Sequence, residues 1–281
     1  MLSVSRLRST VLLATASACL GIAPAVVAQS YLGMDRNDYP GDATMRSLRQ
    51  TFAFTGYWLN NPPGADRNSW KGKRPALQAM GYGFLILFNG REYKELKASG
   101  NAAGMGTRDA ATAAQAASAE GFSQNAILFL DQEQGGRMLP EQRAYIHAWV
   151  DGVVKAGYRA GIYCSGIAFR ESPKVSVITA NDIRENAGRR EIHFFIGNDQ
   201  CPPSPGCVYR TTAPSPVASG LAFAEVWQYA QSPRRPEVTE ACHATYASDG
   251  NCYPPGVAAS SGLHIDIDAA GSPDPSSGVK R

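Results

Sequence analysis

The stretch Ala126–Gly136, AILFLDQEQGG, decides how this chain is read. It opens with five apolar residues, Ala126 to Leu130, the pattern of a strand buried on both faces. It then turns abruptly into Asp131-Gln132-Glu133 and stops at Gly135-Gly136. Side chains alternate along a strand, so Asp131 and Glu133 project the same way, about 6–7 Å apart at their Cα atoms. In an α/β barrel the C-terminal ends of the strands carry the chemistry, and a buried strand that delivers two carboxylates there suits such a site. Taken alone, an Asp-x-Glu can equally be two solvated loop acids. The rest of the chain separates the two readings.

Residues 1–28 read as a secretion signal. Arg6 and Arg8 precede an apolar run from Val11, and Val26-Val27-Ala28 is a small-residue cleavage site. The run is interrupted by Pro24 and is too short for a membrane span. Cleavage near Ala28 places the mature protein outside the cell or in the periplasm, with no membrane span. It leaves about 250 residues, the size of one α/β barrel. It also removes two Arg and no acid, so the mature chain holds 25 basic and 24 acidic residues. That balance gives no basic face for nucleic acid. Export permits disulfides. Cys201 and Cys207 flank one Pro-rich loop and Cys242 and Cys252 another irregular stretch, so two local bridges are the simplest pairing. Cys164 is left as a buried thiol.

Outward from the opening stretch, seven more strand patterns appear, at 31–35, 52–59, 83–88, 159–165, 191–197, 224–229 and 263–268. Helical patterns lie at 43–50, 74–80, 107–120, 140–157 and 175–187. The Ala-rich 107–120 segment has the residue that costs least in a helix, and Pro140 suits a first helical position. Eight strands alternating mostly with helices predict a single (β/α)8 barrel over 29–270, with two disulfide-bearing loop insertions. Residues 271–281, GSPDPSSGVKR, have the composition of a disordered tail. Asp35, Asn89, Asp131 with Glu133, Tyr163, Asn198, Gln228 and Asp266 all fall at or near strand C-terminal ends. A ring of polar strand ends is not random loop polarity. Strands one and eight become neighbours when the barrel closes, which brings their acids together.

With these residues in hand, the sequence resembles glycoside hydrolase family 25, the lysozyme type. It resembles more closely the related glycoside-hydrolase-like domain of uncharacterised secreted bacterial proteins. The ordered motifs are Gly33-Met34-Asp35 on the first strand, Asp131-x-Glu133 on the fourth and Gly161-Ile162-Tyr163 on the fifth. Trp227-Gln228-Tyr229 on the seventh and Asp266 on the eighth complete the set. The resemblance implies a glycosidase of β-linked amino-sugar polymers such as peptidoglycan. It makes Glu133 the general acid and Asp131 an ionised partner that either orients an N-acetyl group on the substrate, with the acetamido oxygen as nucleophile, or stabilises the oxocarbenium directly. Asp35 and Asp266 would complete the catalytic acids. Independently of the resemblance, whose pattern the strand ends at Asn89 and Asn198 do not follow, the rings of Trp58, Tyr163 and Tyr229 suit stacking on sugar, and the polar strand ends Asn89, Asn198 and Gln228 complete the expected sugar-binding set.

Crowding of like charges would raise the Glu133 pKa, as a general acid requires. No histidine pair has metal-ligand spacing and no Cys-x-x-C occurs, so neither a metal nor any other cofactor is called for. Cys164-Ser165 lacks a nucleophile-elbow sequence. Two other readings use the same residues. One is a non-catalytic, glycan-binding barrel of the cell envelope; the other is a hard-cation site built from Asp131, Glu133, Asp266 and Asp268. The expected partner is a polysaccharide, and the expected state a monomer.

Overall fold

The computed structural model describes residues 29–210 and 212–277; the expected secretion signal lies outside them. In chain order the strands are β1 (Tyr31–Asp35), β2 (Phe54–Trp58), β3 (Gly83–Asn89), β4 (Ile127–Asp131) and β5 (Arg159–Ser165). They continue with β6 (Ala168–Ser172), β7 (Val175–Ile178), β8 (His193–Gly197), β9 (Val226–Ala230) and β10 (Asp266–Ala270). β6 and β7 form a separate hairpin. The other eight close a barrel in the order β1–β2–β3–β4–β5–β8–β9–β10, with β10 returning to β1.

The helices are α1 (Asp42–Leu48), α2 (Arg74–Ala79), α3 (Tyr93–Ser99), α4 (Ala102–Ala119), α5 (Pro140–Lys155), α6 (Thr179–Glu185) and α7 (Pro236–Thr239). α4 starts earlier than its Ala-rich centre suggests because the Asn101 side chain caps it, accepting from the Gly104 N–H at 2.9 Å. The stretch expected as one helix over 175–187 is split between β7 and α6. Val175 and Val177 are β-branched and pair across the hairpin.

The barrel departs from regular (β/α)8 closure in its last strand. Seven strands run parallel, whereas β10 is antiparallel to both β1 and β9. An antiparallel neighbour needs no helical crossover, so none is required between β9 and β10; the parallel β8–β9 crossover is made, among the described residues, by the first Cys-bearing insertion rather than by a long helix. The two Cys-bearing insertions cover that side instead. Tyr229 shows how: its hydroxyl donates to the Val208 carbonyl at 3.0 Å, and Ser204 donates to the Tyr229 carbonyl. The insertions lie against each other, so the disulfides cross between them, Cys201–Cys242 and Cys207–Cys252, with Cα separations of 5.9 and 5.5 Å. This corrects the local pairing expected from sequence. Cys164 is a buried free thiol.

The expected disordered tail is also corrected, for residues 271–277. These pass under the barrel floor, where β3 and β4 have not yet begun to pair. Asp274 Oδ1 accepts from the Phe84 N–H at 2.9 Å, and Ser276 Oγ accepts from the Ile86 N–H at 3.0 Å. The Ser276 backbone donates to Phe84 and accepts from Ile127, each at 3.0 Å. Gly83 is required beneath this strap, since a Cβ there would lie 2.0 Å from the Pro273 oxygen. Burying unpaired backbone groups costs about 1–3 kcal/mol each, and Asp274 and Ser276 supply the partners that the floor lacks. Deleting residues 272–281 is expected to destabilise the protein by about 2–5 kcal/mol, read by urea unfolding. An unchanged midpoint would mean that water replaces the strap without cost.

Candidate active site

Each of the eight barrel strands sends one side chain into a pocket of about 280 Å3 at the rim formed by the C-terminal ends of the parallel strands. β1 to β4 supply Asp35, Trp58, Leu87 and Asp131; β5, β8, β9 and β10 supply Tyr163, Phe195, Gln228 and Asp266. Asp266 reaches this rim by a route the sequence did not suggest. It opens β10 rather than closing a parallel strand, and the antiparallel direction sets it opposite Asp35 in register. Asp268, two residues further into the barrel, is fully buried.

Gln228 is the hub. Its Nε2 donates to Asp35 Oδ2 at 2.9 Å and to Asp266 Oδ2 at 3.4 Å. Its Oε1 accepts from the Tyr163 hydroxyl and from Gln231 Nε2, both at 2.7 Å. Gln231 also donates to the Tyr163 oxygen at 3.0 Å. Tyr163 leans on Phe195 with ring centroids 4.7 Å apart. Gly197 leaves room for its hydroxyl, which a Cβ would meet at 2.5 Å. The second Asp266 oxygen accepts from the Ser232 N–H at 2.6 Å.

Five carboxyl groups at one barrel end cannot all ionise. Burial pushes Asp35 up to about 6, against hydrogen bonds from Gln228 and Asp268 that favour its charged form. Asp268 is held well above the carboxylate range by burial and by the neighbouring acids Asp35 and Asp266. Its oxygens meet no N–H or O–H donor, so the neutral acid donates its own proton to Asp35. Asp266 is raised by burial and by Asp35.

Asp131 is likewise raised well above the usual range, first by burial and then by Glu133 and Asp35. Its Oδ1 is buried without a partner. Glu133, just beyond β4, lines the pocket yet is exposed to solvent. It too is raised, first by burial of its carboxyl and then by Glu92.

The backbone around Glu133 is held on both sides. The Gln132 N–H donates to the Tyr163 carbonyl at 3.0 Å. Gln134 Oε1 accepts from the Tyr93 N–H at 2.8 Å and from Gln142 Nε2 at 3.0 Å. Further on, the Gly136 N–H donates to Thr179 Oγ1 at 2.8 Å. A pinned loop thus presents a carboxyl group to the cleft.

Of the remaining residues expected to bind sugar, Trp58 lines the pocket, its indole N–H on the Arg36 carbonyl at 3.2 Å. Three do not line it. Asn89 ties the β3 end to the following-β2 loop, exchanging hydrogen bonds with Asn60 at 2.8 and 2.9 Å. Asn198 is buried, donating to the Ser219 carbonyl at 2.7 Å. Tyr229 points out of the barrel because strand alternation puts Gln228 inside. Sequence reasoning missed Asn37, Gln231, Ser232 and Arg235, which sit in loops just past strand ends. Gln231 carried a signal, lying directly after the Trp-Gln-Tyr strand. Among the described residues, no three His, Cys, Asp or Glu side chains converge as a metal site.

Residues 59–191 match the family described as Rv2525c-like, glycoside hydrolase-like domain. Among solved structures, the chain is similar to an uncharacterized B. stearothermophilus protein. The identity is 18%, the coverage 85% of this chain and 95% of that one, and the TM-score 0.54. It is also similar to the Clostridium perfringens spore cortex lytic enzyme SleM, at 13% identity, 86% and 68% coverage and a TM-score of 0.51. A further neighbour is the Mycobacterium tuberculosis Tat-secreted protein Rv2525c, at 11% identity, 85% and 94% coverage and a TM-score of 0.47. At these identities the likeness is one of fold. No curated protein matches the sequence.

The acid cluster gives a stability prediction. A carboxyl raised in the folded state keeps its proton where the unfolded chain has lost it, so stability falls as pH rises from the ordinary value towards the raised one. For Asp35 the window runs from 3.8 to about 6, a contribution of about 3 kcal/mol. Urea unfolding is expected to show a more stable protein at pH 4.5 than at pH 7.5, with a shallower difference in Asp35→Asn. Stability that rises over this window would contradict the assigned protonation. By sequence over residues 59–191, the chain resembles the Rv2525c-like, glycoside hydrolase-like domain family.

Proposed function

We propose that the protein is a secreted glycoside hydrolase acting on a β-linked amino-sugar polymer, peptidoglycan being the leading substrate, with Glu133 as its general acid. The observation that carries this reading is the pairing of two unlike carboxyls on one strand end. Asp131 is buried with an unpartnered oxygen, and Glu133 is held on a pinned loop at the mouth. A 2-acetamido sugar supplies what Asp131 lacks, an amide N–H donor. Accepting that bond favours the charged form of Asp131 and turns the acetamido oxygen toward the anomeric carbon.

In the first step the bond between the anomeric carbon and the glycosidic oxygen breaks. Its electron pair goes to the leaving oxygen, which takes the Glu133 proton, while the acetamido oxygen bonds to the anomeric carbon. In the second step Glu133, now ionised, accepts a proton from water as that water opens the cyclic intermediate. Both steps fit a carboxyl raised by burial and by Glu92, since such a group holds its proton closer to neutral pH. Asp35 and Asp266 then act at one remove, fixing Tyr163 and the pocket wall through Gln228, and the neutral Asp268 donates to Asp35.

The family described as glycoside hydrolase-like and the fold shared with a spore cortex lytic enzyme support a glycan-directed reading. Crossed disulfides support export, and no helix among the described residues is long and apolar enough to cross a membrane.

The test is release of reducing ends from purified peptidoglycan by the wild type and Glu133→Gln. Loss of a general acid is expected to lower the rate about 10²–10⁴-fold, with the unfolding midpoint unchanged. The wild-type rate should fall as pH rises through the raised Glu133 pKa. Equal turnover by the two proteins would overturn the assignment. Binding to sacculi without any release would replace it with a non-catalytic glycan-binding barrel.

A further inference from the structure

The active-site pocket does not end at Glu133. A second hollow of about 230 Å3 continues from it, sharing Glu133, Tyr163 and Gln231 and adding Ser165, Gly197 and Arg235. Every titratable group that faces the first pocket is an acid or a tyrosine. Arg235 therefore gives the cleft a cation at one end and a ring of carboxyls at the other.

The guanidinium is positioned by construction. Asp199, fully buried at the end of the β8 strand segment, grips its Nε and Nη2, with the Nε contact at 3.1 Å. Holding one edge of the planar fork leaves Nη1 and the outer N–H of Nη2 directed away from Asp199, a ready edge for a carboxylate. The side chain is 38% exposed, against 0% for Asp199, so one edge is locked and the other is open.

The crossed insertions make this placement rigid. Cys201 lies two residues after Asp199, and its N–H donates to the Val238 carbonyl at 3.0 Å. Its disulfide to Cys242 fastens the Asp199 segment to the α7 segment that begins just after Arg235. The same insertions that replace the missing outer helices thus hold a cation over the end of the cleft.

We infer that Arg235 is a specificity-determining residue that binds a carboxylate carried by the sugar in this second hollow. The substrate is then an amino-sugar polymer with free sugar carboxylates, such as glycan strands whose lactyl groups carry no peptide, rather than a neutral one. This rests on the glycan reading of the cleft but not on catalysis. An acidic substituent in the first pocket would face Asp35, Asp131 and Asp266, so Arg235, the one cationic side chain lining either hollow among the described residues, also sets the direction in which the polymer lies.

The test uses the full-length exported protein and two probes that differ by one lactyl carboxylate, N-acetylmuramic acid and N-acetylglucosamine, with binding followed by ligand-observed NMR titration. Wild type is expected to bind the acidic sugar about tenfold more tightly. Arg235→Gln should abolish that preference and leave N-acetylglucosamine affinity unchanged. Because Arg235→Gln strands a buried Asp199, the neutral pair Asp199→Asn/Arg235→Gln is measured beside it and should behave alike. Equal affinities in wild type, or a preference that survives in the double variant, would overturn the inference. A hydrolase assay that fails while the preference holds would count against the catalytic reading alone.

Discussion

The constraint on which this molecule depends is that five carboxyl groups gather at one end of a barrel and cannot all carry charge. Gln228 resolves much of it with one amide. Its NH2 serves Asp35 and Asp266, while its carbonyl takes Tyr163 and Gln231. An amide is suited to this place because it donates to the acids and accepts from the neutral wall without adding charge. Asp268 resolves the remainder by staying neutral under Asp35. The arrangement costs stability at neutral pH and maintains an electronegative pocket whose members differ in how tightly they hold protons. Sites that divide acid and base roles between carboxyls are built on such differences.

The scaffold carries the cost through closure from both ends. Below, residues 274–276 complete hydrogen bonds that β3 and β4 leave open. Above, the antiparallel β10 brings Asp266 to the rim and closes the ring onto β1. On the side where no long helix follows the strand, the disulfide-linked insertions cover β9 and fix Asp199 and Arg235. Floor, last strand and insertions therefore serve one purpose, which is to hold charged and polar groups still around a small hollow.

Much of this was legible in the sequence because buried parallel strands are written as apolar runs with polar ends. The positions of Asp35, Asp131, Tyr163 and Gln228 follow from that pattern and from the period-two alternation. What the pattern could not give is direction. Leu263 to Asp268 reads as a strand whichever way it runs, so Asp266 was expected at a C-terminal end and is found at an N-terminal one. Polar strand ends also have structural uses. Asn89 and Asn198 tie loops rather than face the pocket, and nothing in their local sequence separates them from Asp131. The tail was misjudged because Gly, Pro and Ser are as suited to a close-packed strap as to a disordered end. The cysteine pairing depends on two insertions lying side by side, a tertiary fact that spacing does not encode.

The central claim is that the unpartnered oxygen of Asp131 is a receptor for the amide of a 2-acetamido sugar. The most direct measurement is calorimetric binding of chitotetraose and cellotetraose to Glu133→Gln, in which neither ligand is consumed. The two chains share their linkage and differ by the acetamido groups. The account predicts at least about tenfold tighter binding of chitotetraose, equivalent to the worth of one hydrogen bond to a charged group. Equal affinity for the two would show that Asp131 does not read the amide, and the amino-sugar assignment would fall with it.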